Sequence, residues 1–282
     1  MPNYGRYVAD PNEVQLARYF HLDERDLAFI NQRRGKHNRL GIALQLTTAR
    51  FLGTFLPDPL QIPSFIRFYI AAQLNISRPE ILSRYAEREN TRWEHQGLIK
   101  LYYDYHDFGD FPWTFRLKRL LYTRAWLSNE RPGLLFDFAT AWLLQNKILL
   151  PAASTLTRLI GEVRERASRR LWRRLALLPD SWQKTQLDGL LEIPEGQRMS
   201  VLEEMRKGPV TISGPSFTDA LERYTRLRSM EFSRLNFSGL PAIQLRNLAR
   251  YAGMASVKYI SRMPDERRLA VLTAFVKAQE IS

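Results

Sequence analysis

Hydrophobic side chains recur at steps of three and four residues along almost the whole chain of 282 residues. Steps of that length place side chains on one face of an α-helix, whereas alternating runs of β-branched residues, which would indicate strands, are nearly absent. The pattern therefore predicts an all-α fold. The predicted helices span residues 11–20, 23–33, 37–53, 63–75, 78–88, 91–105, 113–128, 132–147, 154–177, 180–191, 197–207, 215–231, 241–252, 256–262 and 264–279.

Two breaks in this pattern indicate how the chain is organised. An acidic and aromatic turn interrupts the helices at 102–113, and a second break lies near 178–195. A chain of this length exceeds one ordinary hydrophobic core. We therefore expect two or three small helical domains in succession. The predicted domains span residues 1–108, 109–180 and 181–282.

The charge of the chain is strongly positive and uneven. Lys and Arg number 42 against 29 acidic residues, which gives a net charge of +13 and a pI of about 10.1. The segment 111–180 holds 13 basic and five acidic side chains, and 34 of the 42 basic residues are Arg. Arg forms bidentate hydrogen bonds with phosphate and guanine, so a high net positive charge carried mainly by Arg is typical of a nucleic-acid-binding protein. A GC-rich coding sequence is the alternative explanation for the excess of Arg.

Residues 71–85 have the spacing of a helix-turn-helix unit, within a predicted motif at 63–88. Such a unit needs a small residue at the helix crossing, an Asn or Gly in the turn and an apolar residue further on, and Ala71, Asn75 and Ile81 fit. An ordinary helical hairpin is the alternative. The side chains predicted to face DNA are Ser77 and Arg78 at the start of the second helix, and Arg84, Arg88 and Arg92 beyond it.

Residues 249–262 repeat this spacing less well, with Gly253 in the predicted turn. The spacing leaves a functional unit and a structural hairpin equally open.

Three further basic segments are candidates for contact with phosphate. Residues 33–39 precede an apolar helix, 113–119 combine aromatic with basic side chains, and 154–178 carry arginines beside an apolar stripe. For residues 33–39 and 154–178 the alternative is a solvated surface, and for 113–119 it is aromatic side chains packed in the core. The stripe comprises Leu156, Leu159, Ile160, Val163, Ala167, Leu171 and Leu175. The candidate DNA-binding residues are Arg33, Arg34, Lys36, His37, Asn38, Arg39, Arg116, Lys118, Arg119, Arg158, Arg166, Arg169, Arg170, Arg173 and Arg174.

The sequence offers little material for catalysis. It has no cysteine, and its four histidines are not at metal-ligand spacing. A phosphate-binding Gly-rich loop and a nucleophile elbow are both missing from it. We therefore expect no catalytic residue, metal site or cofactor in this chain. No apolar run reaches the roughly 18 residues of a membrane span, so we expect a cytoplasmic protein without a membrane partner.

Several strings of residues together resemble the amino-terminal region of the Tn-three family of replicative transposases. The match runs nearly from end to end. The strings are residues 16–22, 34–45 (RGKHNRLGIALQ), 50–55, 88–92, 119–124, 128–137 (SNERPGLLFD), 207–215 (KGPVTISGP) and 247–254.

The resemblance implies that consecutive helical domains bind the terminal inverted repeats of a transposon in double-stranded DNA. In the family, an Asp-Asp-Glu triad on an RNase H-like domain cuts and joins strands with divalent metal, but that domain lies far downstream. The chain stops at Ser282, where the helix around Phe275 to Glu280 looks as if it continues, so we expect no residue here to inherit a catalytic role. A truncated gene product and a recombinant fragment both remain open as explanations.

The leading hypothesis is sequence-specific binding of inverted-repeat DNA in a bacterial cytoplasm, at the nucleoid. Self-association and association with full-length transposase are the further expected partnerships. Three alternatives stay open: a helical protein-interaction or assembly module, a truncated competitor of the full-length enzyme, and a nuclease or strand-transfer activity within these residues.

Overall fold

The computed structural model of the chain describes residues 4–207 and 214–281, and no β-strand occurs in them. The predicted all-α fold is confirmed, and every predicted helix has a counterpart within a few residues. The helices of the described residues are α1 (Glu13–Gln15), α2 (Glu24–Asn31), α3 (Lys36–Leu52), α4 (Ser64–Gln73), α5 (Leu82–Ala86), α6 (Glu89–Tyr103), α7 (Trp113–Leu127), α8 (Pro132–Gln145), α9 (Ala153–Ala176), α10 (Ser181–Gly189), α11 (Val201–Arg206), α12 (Gly214–Ser229), α13 (Ala242–Met254), α14 (Val257–Ser261) and α15 (Asp265–Ile281).

Shorter helical segments and one isolated bridge complete the secondary structure of residues 4–207 and 214–281. A π-helical stretch, Leu16–Phe20, continues α1, and 3-10 turns lie at Pro59–Gln61, Pro79–Ile81 and Phe232–Arg234. His106 and Ile148 form a single parallel bridge. Among the described helices, none combines the length and apolar character that a membrane-spanning segment requires.

The chain divides into two compact units. Unit 1 consists of Met1–Lys118 and Gly133–Arg158, and unit 2 of Arg119–Pro132 and Leu159–Ser282. The predicted boundaries after residues 108 and 180 both fall inside these units. The assignment of DNA-binding domains to residues 1–108 and 109–180, with 181–282 as a third helical region, stays a prediction.

Helix α3 is the central element of unit 1. It is bounded by two glycines with positive φ, Gly35 (85°) and Gly53 (72°), a conformation that favours glycine. Nearly all of its side chains from Leu40 to Ala49 are buried, and α2, α4, α5 and α6 pack around it. Residue 41 is a glycine where α5 crosses, and an ideal Cβ there would lie 2.3 Å from Cδ1 of Tyr85. The absence of a side chain thus sets the close approach of α5 to α3.

A buried carboxylate ties three helices of unit 1 together. Asp26 in α2 is 1 % exposed and accepts hydrogen bonds from Arg50 at 2.8 and 2.6 Å and from the Tyr103 hydroxyl at 2.7 Å. Burial alone would raise the pKa of this carboxyl, but the bonds from Arg50 and Tyr103 outweigh burial and hold the pKa below its usual value. Asp26 also completes the capping box of α2 with Asp23.

The core of unit 2 forms around α15, which packs most extensively against α13 and also contacts α10 and α12. Apolar side chains from several helices meet there, including Leu187, Leu202, Phe232, Ala252 and Leu272, all buried. Capping boxes begin α10 at Asp180 and α11 at Ser200. The apolar stripe predicted for α9 is confirmed, because all seven of its residues are buried.

The predicted helix-turn-helix is confirmed in its turn and wrong at the start of its second helix. Asn75 adopts the left-handed conformation (φ 54°), Ala71 is buried, and the Ile76 amide donates to the Ala71 carbonyl at 2.9 Å. The second helix begins at Leu82, after the 3-10 turn Pro79–Ile81, whereas Ser77 and Arg78 precede it. Proline disfavours helical φ and ψ in the residue before it, and Arg78 is extended.

The weaker copy of the motif does not turn where the sequence indicated. Helix α13 continues through Gly253 to Met254, so Gly253 is a helical residue. The next helix, α14, is capped instead by Ser256, whose hydroxyl accepts from the Tyr259 amide at 3.2 Å. The turn predicted at Gly253 is therefore wrong.

Candidate nucleic-acid interface

Two basic segments that are distant in sequence meet at the amino-terminal end of α3. The loop before α3 and the α5 region lie close enough that the guanidinium groups of Arg84 and Arg88 act on the imidazole of His37. The packing of Tyr85 against Gly41 holds α5 in this place. We define the basic cluster as Arg33, Arg34, Lys36, His37, Arg84 and Arg88.

His37 is a half-buried member of the basic cluster. Burial, followed by the positive charges of Arg84 and Arg88, lowers the pKa of its imidazole. Its Nε2 is buried and has no hydrogen-bond partner in the part of the chain that is described. The positive charges of Arg84 and Arg88 beside this imidazole favour an anion such as a phosphate oxygen.

The start of α3 adds backbone donors to this charge. Gly35 caps the helix without a side-chain hydrogen bond, and the first amides of a helix have no partner within it. The amino-terminal end of a helix also carries partial positive charge. The free amides and the basic cluster thus favour the same sign of ligand.

Asn38 and Arg39, also predicted to bind DNA, hold the loop in shape. The Asn38 side-chain amide donates to the Arg34 carbonyl at 2.9 Å, and Arg39 Nε donates to the Arg33 carbonyl at 3.0 Å. Both side chains are half-buried. Their direct contact with DNA stays a prediction, and these bonds give them a positioning role.

The remaining candidates of the helix-turn-helix region are spread out. Ser77 and Arg78 are exposed in the turn before α5, and Arg88 lies at the amino-terminal cap of α6. Arg92, one turn further along α6, points to the loop after α3, where its Nη1 donates to the Pro57 carbonyl at 2.5 Å. The structure therefore does not bring Arg92 into the basic cluster.

The five predicted arginines of α9 that lie in unit 2 are exposed, and several stack on aromatic rings or pair with acids. The Arg170 guanidinium lies 5.0 Å from the Trp126 ring and donates to the Tyr122 hydroxyl at 3.1 Å, and Arg166 lies 6.0 Å from the Tyr122 ring. Three others have polar partners: Arg169 pairs with Glu165, Arg173 with Glu266 at 3.6 Å, and Arg174 donates to the Gly239 carbonyl at 3.2 Å.

The other predicted basic residues, Arg116, Lys118, Arg119 and Arg158, are exposed as well. Arg116 lies over the Trp113 ring at 5.2 Å, and Lys118, Arg119 and Arg158 face solvent. DNA contact by these residues stays a prediction.

Beneath the basic cluster lies a buried polar chain that the sequence did not reveal. Gln45 Nε2 donates to the Tyr85 hydroxyl at 2.5 Å, and that hydroxyl lies 3.1 Å from His95 Nδ1. Burial, with a smaller effect of the Arg33 charge, lowers the pKa of His95 to about 4. The uncharged imidazole therefore belongs to the folded state.

We expect the stability of the protein to fall by about 2 kcal/mol between pH 7.5 and pH 5 because of His95. The folded pKa of about 4 lies below the unfolded value of 6.5, so the unfolded chain binds more protons between these limits. Stability is thus lost as the pH falls through this window. Urea unfolding of the wild type and of His95→Gln at both pH values measures the effect. An equal loss in both proteins would contradict it, and His21→Gln, which removes an exposed imidazole, is the control.

Sequence reasoning also missed Trp93 and a set of cations in unit 2. Trp93 lies on α6 and is 68 % exposed. The sequence could have indicated it only as an aromatic residue that falls outside the apolar face of that helix. Residues 232–264 hold five cations and no acid, a run that a charge count over shorter windows would have found. Its exposed members on α13, α14 and the following turn are Arg246, Arg250, Lys258 and Arg262.

Comparison with known proteins connects this chain to transposases. Residues 1–163 match the family model described as Domain of unknown function (DUF4158). The chain is 77 % identical over 280 residues to the transposase for transposon gamma-delta of Escherichia coli (strain K12), covering 99 % of this chain and 28 % of that protein. It is 29 % identical over 269 residues to the transposase for transposon Tn1546 of Enterococcus faecium, covering 94 % and 27 %. For the transposase for transposon Tn501 of Pseudomonas aeruginosa, identity is 29 % over 273 residues, covering 96 % and 27 %. The chain thus spans between a quarter and a third of the length of these relatives.

Proposed function

We propose that this chain, which belongs to the DUF4158 family, binds the terminal inverted-repeat DNA of a transposon in a sequence-specific manner. The predicted relationship to Tn-three family transposases is confirmed by the transposases that the chain matches. In this role it is the amino-terminal part of a transposase and supports transposition. Strand cutting and joining belong to an Asp-Asp-Glu domain with divalent metal, outside these residues. We expect this binding to occur in the bacterial cytoplasm, at the nucleoid.

The observation that carries the proposal is the convergence of cations at the start of α3. Arg84 and Arg88 come within electrostatic reach of His37 although more than forty residues separate them along the chain. No acidic side chain lies in residues 27–57, which contribute four of the six residues of the cluster. Cations and helix amides that face one point are the arrangement that binds a phosphate backbone.

In this proposal, different residues contact the phosphates and the bases of the DNA. The arginines, Lys36 and the amides of α3 bind phosphate and supply most of the affinity. Arg84, exposed on α5, reads base edges, since an Arg fork pairs with guanine in the major groove. The arginines of α9 bind phosphate in unit 2. Self-association and pairing with the complete transposase are further proposed partnerships.

Gel shifts at graded salt, with matched and scrambled repeat duplexes, test this function. If about eight phosphates are neutralised, the logarithm of affinity should fall with the logarithm of salt concentration at a slope of roughly −7. We expect Arg84→Ala to reduce discrimination between the two duplexes, and Arg170→Ala to weaken both alike. Arg198→Ala removes an exposed charge outside the predicted sites and should change little.

A flat salt response, or equal wild-type affinity for matched and scrambled duplexes, would overturn specific binding. Stable self-association without any response to DNA would favour the assembly module instead.

A further inference from the structure

Unit 1 contains a small pocket where the loop after α3 meets the first turns of α6. Its volume is about 270 Å³. Residues 55–57 form an apolar wall, and Glu89, Arg92, Trp93 and Gln96 line it from one face of α6. A pocket of this size suits a single small ring system and not a drug-sized ligand.

The pocket combines an aromatic surface with polar groups of both kinds. The indole of Trp93 offers a flat face for stacking, and the residue is 68 % exposed. Arg92 Nη1 donates to the Pro57 carbonyl, but Arg92 Nε is buried and lacks a hydrogen-bond partner in the described residues. The carboxylate of Glu89 only accepts hydrogen bonds. The matching ligand is therefore planar and aromatic, with one acceptor and one donor on its edge.

The carboxylate of Glu89 also disfavours phosphate, the other group of DNA that could occupy this pocket. Glu89 repels a phosphate group, so the pocket differs in chemistry from the basic cluster, although Arg88 immediately precedes α6. A nucleobase is uncharged and stacks well on Trp. Cytosine and guanine carry both an amino donor for a carboxylate and a carbonyl acceptor for a guanidinium, whereas thymine has no amino group.

We propose that this pocket binds one unpaired cytosine or guanine of the DNA held by the basic cluster, stacked on Trp93. The amino group of the base donates to Glu89, and its carbonyl accepts from the guanidinium of Arg92, which lines the pocket. The inference rests on the proposed DNA binding. Extruding a paired base costs a few kcal/mol, so DNA that already has an unpaired base binds best.

Three duplexes of one repeat sequence test the pocket: fully paired, with one extra unpaired cytosine, and with one extra unpaired thymine. We expect the wild type to bind the cytosine duplex about tenfold more tightly than the paired one, because stacking on one aromatic residue contributes that much. The thymine duplex should gain less. A fluorescent cytosine analogue at the unpaired position should be quenched on binding.

Variants separate the pocket from the rest of the surface. Trp93→Ala should abolish the gain and the quenching while leaving affinity for the paired duplex unchanged, and Trp93→Phe should keep most of the gain. Glu89→Gln should reduce the preference for cytosine over thymine. Trp182→Ala, which removes an exposed Trp in unit 2, is the matched control and should behave like the wild type.

The outcomes distinguish this inference from the proposed function. Binding of the paired duplex without any gain from an unpaired base overturns the pocket and leaves the proposed function standing. Equal gains for cytosine and thymine, or a gain that survives in Trp93→Ala, also overturn it. If no duplex binds, the proposed function fails and this inference falls with it.

Discussion

Replacing Gly41 with alanine is expected to lower the free energy of unfolding by about 3 kcal/mol, at the upper end of what overpacking a core costs. An added Cβ would lie 2.3 to 2.5 Å from three atoms of the Tyr85 ring. That ring is fully buried and is fixed by Gln45 and His95, so it has no room to move aside. Helix α5 must then shift away from α3.

The same substitution is expected to weaken DNA binding, because the shift would separate Arg84 and Arg88 from His37. Urea unfolding followed by circular dichroism, and gel shifts with repeat DNA, measure the two effects. Gly97→Ala is the matched control: Gly97 is also helical, nothing lies within 4 Å of its ideal Cβ, and alanine there should stabilise by up to about 1 kcal/mol. Unchanged stability in Gly41→Ala would contradict the close crossing of α3 and α5.

We expect Asp26→Ala to lower the free energy of unfolding by about 3 to 5 kcal/mol, because it leaves the charge of Arg50 in a largely buried place without its partner. Arg50 is only 22 % exposed, and the Tyr103 hydroxyl loses its acceptor as well. The capping box of α2 also loses a member.

Urea unfolding of Asp26→Ala and Asp107→Ala measures this difference. Asp107 pairs with Lys100 at 2.7 Å on the surface, where such a pair contributes at most about 1 kcal/mol. Similar losses in both variants would refute the importance of burial.

The free energy of unfolding at low pH provides a second test of the role of Asp26. The folded pKa of Asp26 lies below its unfolded value, so its contribution is present above the unfolded pKa and is lost as the pH falls towards the folded one. This loss occurs at lower pH than the loss due to His95. Asp26→Ala should remove the contribution of Asp26 to the loss at lower pH and leave the loss due to His95 in place.

Local patterns predicted the elements of this fold well, because each helix carries its own signals. The apolar stripe of α9 has helical period, and all its residues are buried. Asn75 takes the left-handed turn that its spacing after Ala71 indicated. Where the prediction was wrong, a competing local rule decided the outcome: Pro79 delays the start of α5, and Gly253 stays helical because Ser256 supplies a better cap for the next helix.

The arrangement of the candidate site depends on tertiary packing, which cannot be predicted from the spacing of residues along the sequence. Residues 33–39 and 84–88 are both visibly basic in the sequence, but their meeting requires the crossing at Gly41. The pairing of Arg173 with Glu266 likewise joins residues more than ninety positions apart. The pocket at Trp93 arises because the loop after α3 returns to α6, and Arg92 turns towards that loop.

The stacking of Arg166 and Arg170 on aromatic rings has a consequence for binding entropy. A free Arg side chain samples many rotamers, and holding it against a ligand costs about 0.5 to 1.5 kcal/mol of conformational entropy. Tyr122 and Trp126 already restrict these two side chains in the folded protein. Much of that entropy is therefore lost on folding, before any polyanion arrives. Lysine at either position would keep the charge but would lose the planar contact that makes this preorganisation possible.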